Sequence, residues 1–311
     1  MAVWYARESG SIHDGIWALN ATGEVEEYMY ADDADATTVL CANGNSYLEI
    51  TRNVTCLRLS TAAEGGTAGG SFVIVSNGVT INADIVAGTG VCLFCDTSSF
   101  TINGNLTSGS TASAKALVVG DICNITINGN ITALAANGVD LSYPDDGSVV
   151  NINGNIYAST TTGSRHGITV GSATLNITGN LAGGTTGSCG IYSNSSNTII
   201  ITGNLIGGTG NNSYGLYSVS GDIVTVNGDI IGGSTMSSYG LYHSGSISAK
   251  CTGNFISSLA CFGAAAGRIA RMSTSKSSNY FQLYNELTAV VKLTAATNSN
   301  PFRRINKRYG W

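Results

Sequence analysis

One short phrase recurs eight times through the middle of this chain. It reads apolar–polar–apolar–polar, then a small residue, then Asn or Asp, then an apolar residue. Its centres are Ala83, Gly104, Gly129, Gly154, Gly179, Gly203, Gly228 and Gly253. Successive steps are 21, 25, 25, 25, 24, 25 and 25 residues. So regular a period describes one supersecondary unit stacked on copies of itself, each unit burying its apolar side only against its neighbours.

Within each unit the alternation has period two and is punctuated by Gly, Ser, Asn and Thr, which is strand-and-turn language rather than helix. Three columns stay apolar. Four before the centre stand Phe100, Ile125, Val150, Leu175, Ile199, Val224 and Ala249. Two before it stand Ile102, Ile127, Ile152, Ile177, Ile201, Val226 and Cys251, and two after it Leu106, Ile131, Ile156, Leu181, Leu205, Ile230 and Phe255. Strand side chains alternate faces, so these columns point together into a core. The Gly column marks a corner where a Cβ would crowd the turn, and the adjoining Asn or Asp is expected to tolerate left-handed geometry. A further strand is expected after Gly138, Gly167, Gly190, Gly215 and Gly240. The fold class is therefore all-β, a right-handed parallel β-helix of about eight coils of ~25 residues, because the shorter six-residue pattern of left-handed forms is absent. Eight coils at ~4.8 Å make a rod roughly 38 Å long, with open edges at both ends that need covering.

Composition suits this reading: 41 Gly, 2 Pro and 11% charged residues argue against a helical enzyme and against a disordered chain. Charge divides the chain in three. Residues 1–64 hold ten acidic and three basic residues (net −7), residues 65–262 eight and three (net −5), and residues 263–311 one, Glu286, and eight (net +7), which sum to −5. We read 1–64 as an acidic, aromatic cap and docking segment, 65–262 as the β-helix, and 263–311 as a basic C-terminal segment. In the last, Tyr280 to Thr294 is expected to be a short helix or a strand. The tail carrying Arg303, Arg304, Lys307, Arg308 and Trp311 is expected to dock on an acidic protein surface, such as the N-terminal segment of a neighbouring copy, rather than on nucleic acid. No apolar leader or membrane-length apolar run is visible, so neither standard secretion nor membrane insertion is expected.

The eight Cys are scattered. Cys92 and Cys95 make the sole C-x-x-C pair, expected on opposite strand faces, and no zinc or other metal site or cofactor is expected. Two ladders are candidate sites. Asp96, Asp121 and Asp146 each lie eight residues before the centre of their coil, and carboxylates ~5 Å apart would resemble a glycosidase pair or a cation site. Asp is also an ordinary turn residue, which is the reading preferred here. Tyr192, Tyr217 and Tyr242 form an aromatic ladder at 25-residue steps, and Tyr214 and Tyr239 repeat it alongside. Such a strip serves a subunit interface first and a carbohydrate second. His13, His166 and His243 share no register, and no Ser/His/Asp grouping emerges.

The repeated Thr-Ile-Asn-Gly-Asn-Leu phrase (Thr101–Leu106, Thr126–Ile131) and the opening Trp4-Tyr5…Ser9-Gly10…Asp14-Gly15…Trp17 resemble tailed-bacteriophage virion proteins built on right-handed β-helices. The resemblance covers roughly residues 1–260 and implies a homotrimer located in the virion and assembled in the host cytoplasm. Such proteins serve as capsid decoration or cement proteins, fibres or spikes. Receptor-cleaving spikes resemble much longer chains with several carboxylates in a groove. The expectation is therefore a non-enzymatic decoration or cement protein that docks on an acidic virion surface such as the major capsid protein. The alternative is a tail fibre or tailspike that binds or depolymerises host surface polysaccharide through Asp96, Asp121 and Asp146.

Overall fold

The structure is a computed structural model that describes residues 2–14, 17–19, 28–42, 47–61, 71–95, 99–120, 124–142, 147–161, 163–235, 237–245, 247–253, 255–256, 262–264, 269–274 and 280–284. It is an all-β parallel solenoid. Its strands form two ladders, one of 22 strands and one of 11, and the one helical element among the described residues is a 3-10 turn at Ala31–Asp33. Each regular coil contributes three strands, for example Ala173–Thr178, Leu181–Ala182 and Ile191–Ser193. Eight rungs separated by seven steps run from Val79–Val86 to Phe255–Ile256, each in parallel register with the next. The inward columns expected from the repeat are buried: Ile102, Ile127, Ile152 and Ile201 have no exposed surface.

The corner between the first two strands explains the Gly column. A Cβ on Gly129 would stand 2.1 Å from the Gly104 carbonyl oxygen, and one on Gly154 would stand 2.1 Å from that of Gly129. The inward alternation passes straight through this position, so a side chain there meets the backbone of the coil below rather than solvent.

The Asn beside the Gly has another role than the one expected. None of these residues is left-handed; Asn212 is the single non-Gly residue with positive φ among those described. Instead, each side-chain oxygen accepts the backbone N–H of its counterpart on the next coil. Asn105 N–H donates to Asp84 Oδ1 (2.8 Å), Asn130 to Asn105 (2.9 Å), Asn155 to Asn130 (2.8 Å), Asn180 to Asn155 (2.9 Å), Asn204 to Asn180 (2.8 Å) and Asp229 to Asn204 (2.9 Å). A side-chain oxygen acceptor is what the position requires, which is why Asp84 serves at the start of the series. Next to it runs an amide ladder on the outer face, Asn103 to Asn82, Asn128 to Asn103 and Asn153 to Asn128, each at 2.7 Å.

Residues 1–64 do more than cap. Strands Ala2–Ala6, Thr38–Cys41 and Val54–Ser60 extend the larger ladder in parallel, and Gly10–Ser11 and Tyr47–Ile50 extend the smaller one. Capping narrows to a reversal of chain direction: Trp17–Ala18 pairs antiparallel with the outer edge of Ala2–Ala6, and Tyr28–Met29 pairs antiparallel with Trp17–Ala18. Trp17 has no exposed surface, stacks on Phe72 at 6.3 Å, and donates its indole N–H to the Ile12 carbonyl at 2.8 Å. The other end closes the same way. Ile269–Thr274 adds a parallel rung, and Tyr280–Tyr284 pairs antiparallel to it, so of the two readings open for the start of this segment the structure takes the strand. The remainder of Tyr280 to Thr294 lies outside the described residues.

Cys41, Cys56, Cys92, Cys95, Cys189 and Cys251 are buried. Cys92 and Cys95 do not take opposite faces. Cys95 points inward from strand Leu93–Cys95, and Cys92 precedes that strand at a corner, with its thiol 3.6 Å from the Leu59 carbonyl. Burial pushes the Cys41 thiol up to about 11 and those of Cys56 and Cys189 up to about 12.

Candidate functional site

The smaller ladder carries the strip that stands out chemically. Its middle strand positions point outward, and pairing aligns Phe94, Val118, Asp140, Thr169, Tyr192, Tyr217 and Tyr242 in one column. The residue just before each strand's leading small residue forms a second column beside it: Lys115, Asn137, His166, Cys189, Tyr214 and Tyr239. Along the rod the pair of columns passes from a charged pair, through polar residues, to aromatics.

The aromatic end is continuous. His166 stacks on Tyr192 at 4.8 Å, Tyr192 meets Tyr217 edge-on at 5.2 Å, and Tyr217 meets Tyr242 at 5.2 Å. Tyr214 stacks on Tyr242 at 4.6 Å and on Tyr239 at 5.9 Å. Tyr214 and Tyr239 are buried and pack with Cys189 as a small core of their own, while Tyr192, Tyr217 and Tyr242 remain partly exposed. Burial raises the phenol pKa of Tyr214, with neighbouring tyrosines adding to it, and burial likewise raises those of Tyr192, Tyr239 and Tyr242. The strip therefore presents neutral rings with phenolic O–H groups.

His166 opens the strip as a neutral ring. The Cys189 backbone N–H donates to its Nδ1 at 3.1 Å, so that nitrogen carries no proton. Burial, with Arg165 adjacent, lowers its pKa to about 4. Sequence reasoning missed this member. The signal was present, since His166 precedes Gly167 as Tyr214 precedes Gly215, but the steps of 29 and 23 residues on either side of Gly167 disguise it. At the polar end Lys115 pairs with Asp140, which is buried and also accepts the Ser142 N–H at 3.0 Å.

The remaining candidates divide differently. Asp96, Asp121 and Asp146 lie outside the described residues, as do Arg303, Arg304, Lys307, Arg308 and Trp311. Among the described residues no group of three or more His, Cys, Asp or Glu is arranged to hold a metal ion. Ser193, Ser218 and His243 share an inward column, and Asp222 accepts the Ser193 hydroxyl at 2.9 Å. These groups are fully buried inside the shaft, with Asp222 1% exposed and the others at 0%, so no substrate reaches them. An open groove of about 500 Å³ near the N-terminal end is lined by Asp32, Arg52, Asn53 and Asn77 among others, and there Arg52 pairs with Asp32, which also meets His13 Nδ1 at 2.7 Å.

In comparisons with protein-family models, curated proteins and solved structures, the chain has no match. The strip offers partly exposed aromatic edges and phenolic groups, which the backbone spaces at one coil each, an arrangement suited to contact.

Proposed function

We propose that this chain is a non-enzymatic structural rod of a virus particle, a capsid decoration or cement protein that assembles with copies of itself through the aromatic strip. The observation that carries the structural part is the strip: three partly exposed tyrosines in strict register, backed by two buried ones, on a shaft whose ladder ends are turned back by antiparallel strands. A rod of this build keeps its shape without a partner and offers one lengthwise adhesive facet. The virion assignment rests on the resemblance of its Thr-Ile-Asn-Gly-Asn-Leu phrases and aromatic opening. A homotrimer and docking of the basic tail on an acidic capsid surface follow from that resemblance and from the charge division.

Two measurements test this reading. Sedimentation of Tyr217→Ala should show loss of the oligomer with the fold intact, and a wild-type monomer would overturn assembly through the strip. Deleting residues 300–311 should abolish incorporation into particles, and unchanged incorporation would remove the tail as anchor. The polysaccharide-binding alternative is favoured by the exposed Tyr192–Tyr217–Tyr242 edge, since sugar rings pack on such surfaces. It predicts glycan binding that disappears in Tyr217→Ala while the oligomer persists.

A further inference from the structure

Beneath the tyrosine strip the shaft holds a buried polar node of Ser193, Asn197, Ser218, Asp222 and His243, each 3% exposed or less. Its chemistry follows from coil repetition. Asn197 and Asp222 hold the same place on successive coils, since Thr198 pairs with Ile223. Each uses one side-chain oxygen in the same way: Asn197 Oδ1 accepts the Ala173 N–H at 2.8 Å, and Asp222 Oδ1 accepts the Asn197 N–H at 2.8 Å. The other arm is where they differ. Asn197 Nδ2 donates to Ser193 Oγ at 2.7 Å and to the Ser195 carbonyl at 2.9 Å. The counterparts of those two acceptors on the Asp222 coil are Ser218 Oγ and the Ser220 carbonyl.

Asp222 Oδ2 thus occupies a place built for a donor. By that equivalence its neighbours are Ser218 Oγ and the Ser220 carbonyl, and both Asp222 Oδ2 and Ser218 Oγ are buried with no hydrogen-bond partner. A buried charge without an ion-pair partner is costly, and among the described residues no lysine or arginine pairs with Asp222. Other titratable groups on the strands packed around it are few. On the coil above, His243 Nδ1 donates to the Gly245 carbonyl at 2.7 Å, and the Cys251 thiol lies in the inward column. Lys250 and the three strip tyrosines point outward.

We infer that Asp222 is carried as a neutral carboxylic acid whose Oδ2–H replaces the amide N–H of Asn197, making the node a proton-dependent lock between the coils under the aromatic strip. Burial moves its pKa in the same direction, upward, and outweighs the opposing pull of the Ser218, Ser193 and Asn197 groups around it. A carboxyl whose folded pKa exceeds its unfolded value stabilises fully below the unfolded pKa, and that stability is lost as pH rises through the folded value. Alkaline pH therefore loosens the lock.

The test is thermal unfolding of the full chain across about pH 4 to 9, comparing wild type with Asp222→Asn and His243→Ser. Asparagine already fits the equivalent place at Asn197, and serine continues the Ser193–Ser218 column. Relative to Asp222→Asn, the wild-type folding constant should fall about tenfold per pH unit between the unfolded and the folded Asp222 pKa, and level off above the folded value. The variant should be the more stable protein on the alkaline side, and His243→Ser should keep the wild-type slope. Parallel wild-type and Asp222→Asn profiles, loss of the slope in His243→Ser, or a slope set by added sodium or calcium at fixed pH would each overturn the inference. Infrared spectroscopy of wild type supplies a measure independent of any variant: a protonated-carboxyl carbonyl band at neutral pH is expected, and its absence would refute the neutral acid.

Discussion

At Gly154 the fold depends on the lack of one atom, and at Asn155 on the presence of one. Gly154→Ala places a methyl against the Gly129 carbonyl and must push adjacent coils apart. We expect a loss of about 1–3 kcal/mol in denaturant unfolding, typical of overpacking. Asn155→Leu removes the acceptor for the Asn180 N–H and leaves that donor unpaired, a cost of about 1–3 kcal/mol, whereas Asn155→Asp keeps the acceptor and should lose markedly less. Equal losses in the two variants would mean that the side-chain oxygen is not what the position selects. The buried thiols provide a check on core integrity. With burial holding Cys56 and Cys189 at about 12, they should react with a thiol reagent only upon unfolding, and fast labelling of native protein would contradict the packing.

Among the elements, the strand Ile191–Ser193 and its neighbours show how one ladder serves two purposes. Inward residues hold the core and outward residues present the strip, so register alone spaces the tyrosines. His166 gives this facet an acid limit. Its folded pKa, about 4, lies below the ordinary value of 6.5, so the unfolded chain takes up a proton before the folded one does. The stability tied to neutral His166 is thus full above about pH 6.5 and is lost as pH falls toward 4. Melting temperatures measured over that window should fall with acid in wild type and fall less in His166→Asn. The strip was half-readable in the sequence, where the 25-residue tyrosine steps are plain. His166 and Cys189 were hidden because loops of unequal length separate the strands that place them side by side.

On the scale of the whole rod, stability comes from stacking, and the ends are where stacking fails. Trp17 closes the N-terminal end of the apolar column, so Trp17→Ala should cost about 3–5 kcal/mol and fray the first rungs before the rest. Hydrogen exchange would check this: protection should be lost first in Ala2–Ala6 and Thr38–Cys41, and uniform loss along the shaft would oppose it. The eight-fold repeat already dictated strands, the three inward columns and the glycine corner, since a period-two pattern recurring every 25 residues can bury its apolar face in no other common way. It did not reveal that residues 1–64 supply further rungs, because their repeat is irregular and their pairing depends on neighbours that only the folded shaft provides. Nor did it reveal the Asn oxygen ladder or the Ser193–Asp222 node. Both join residues on successive coils, and contacts of that kind exist only once winding has brought distant positions into register.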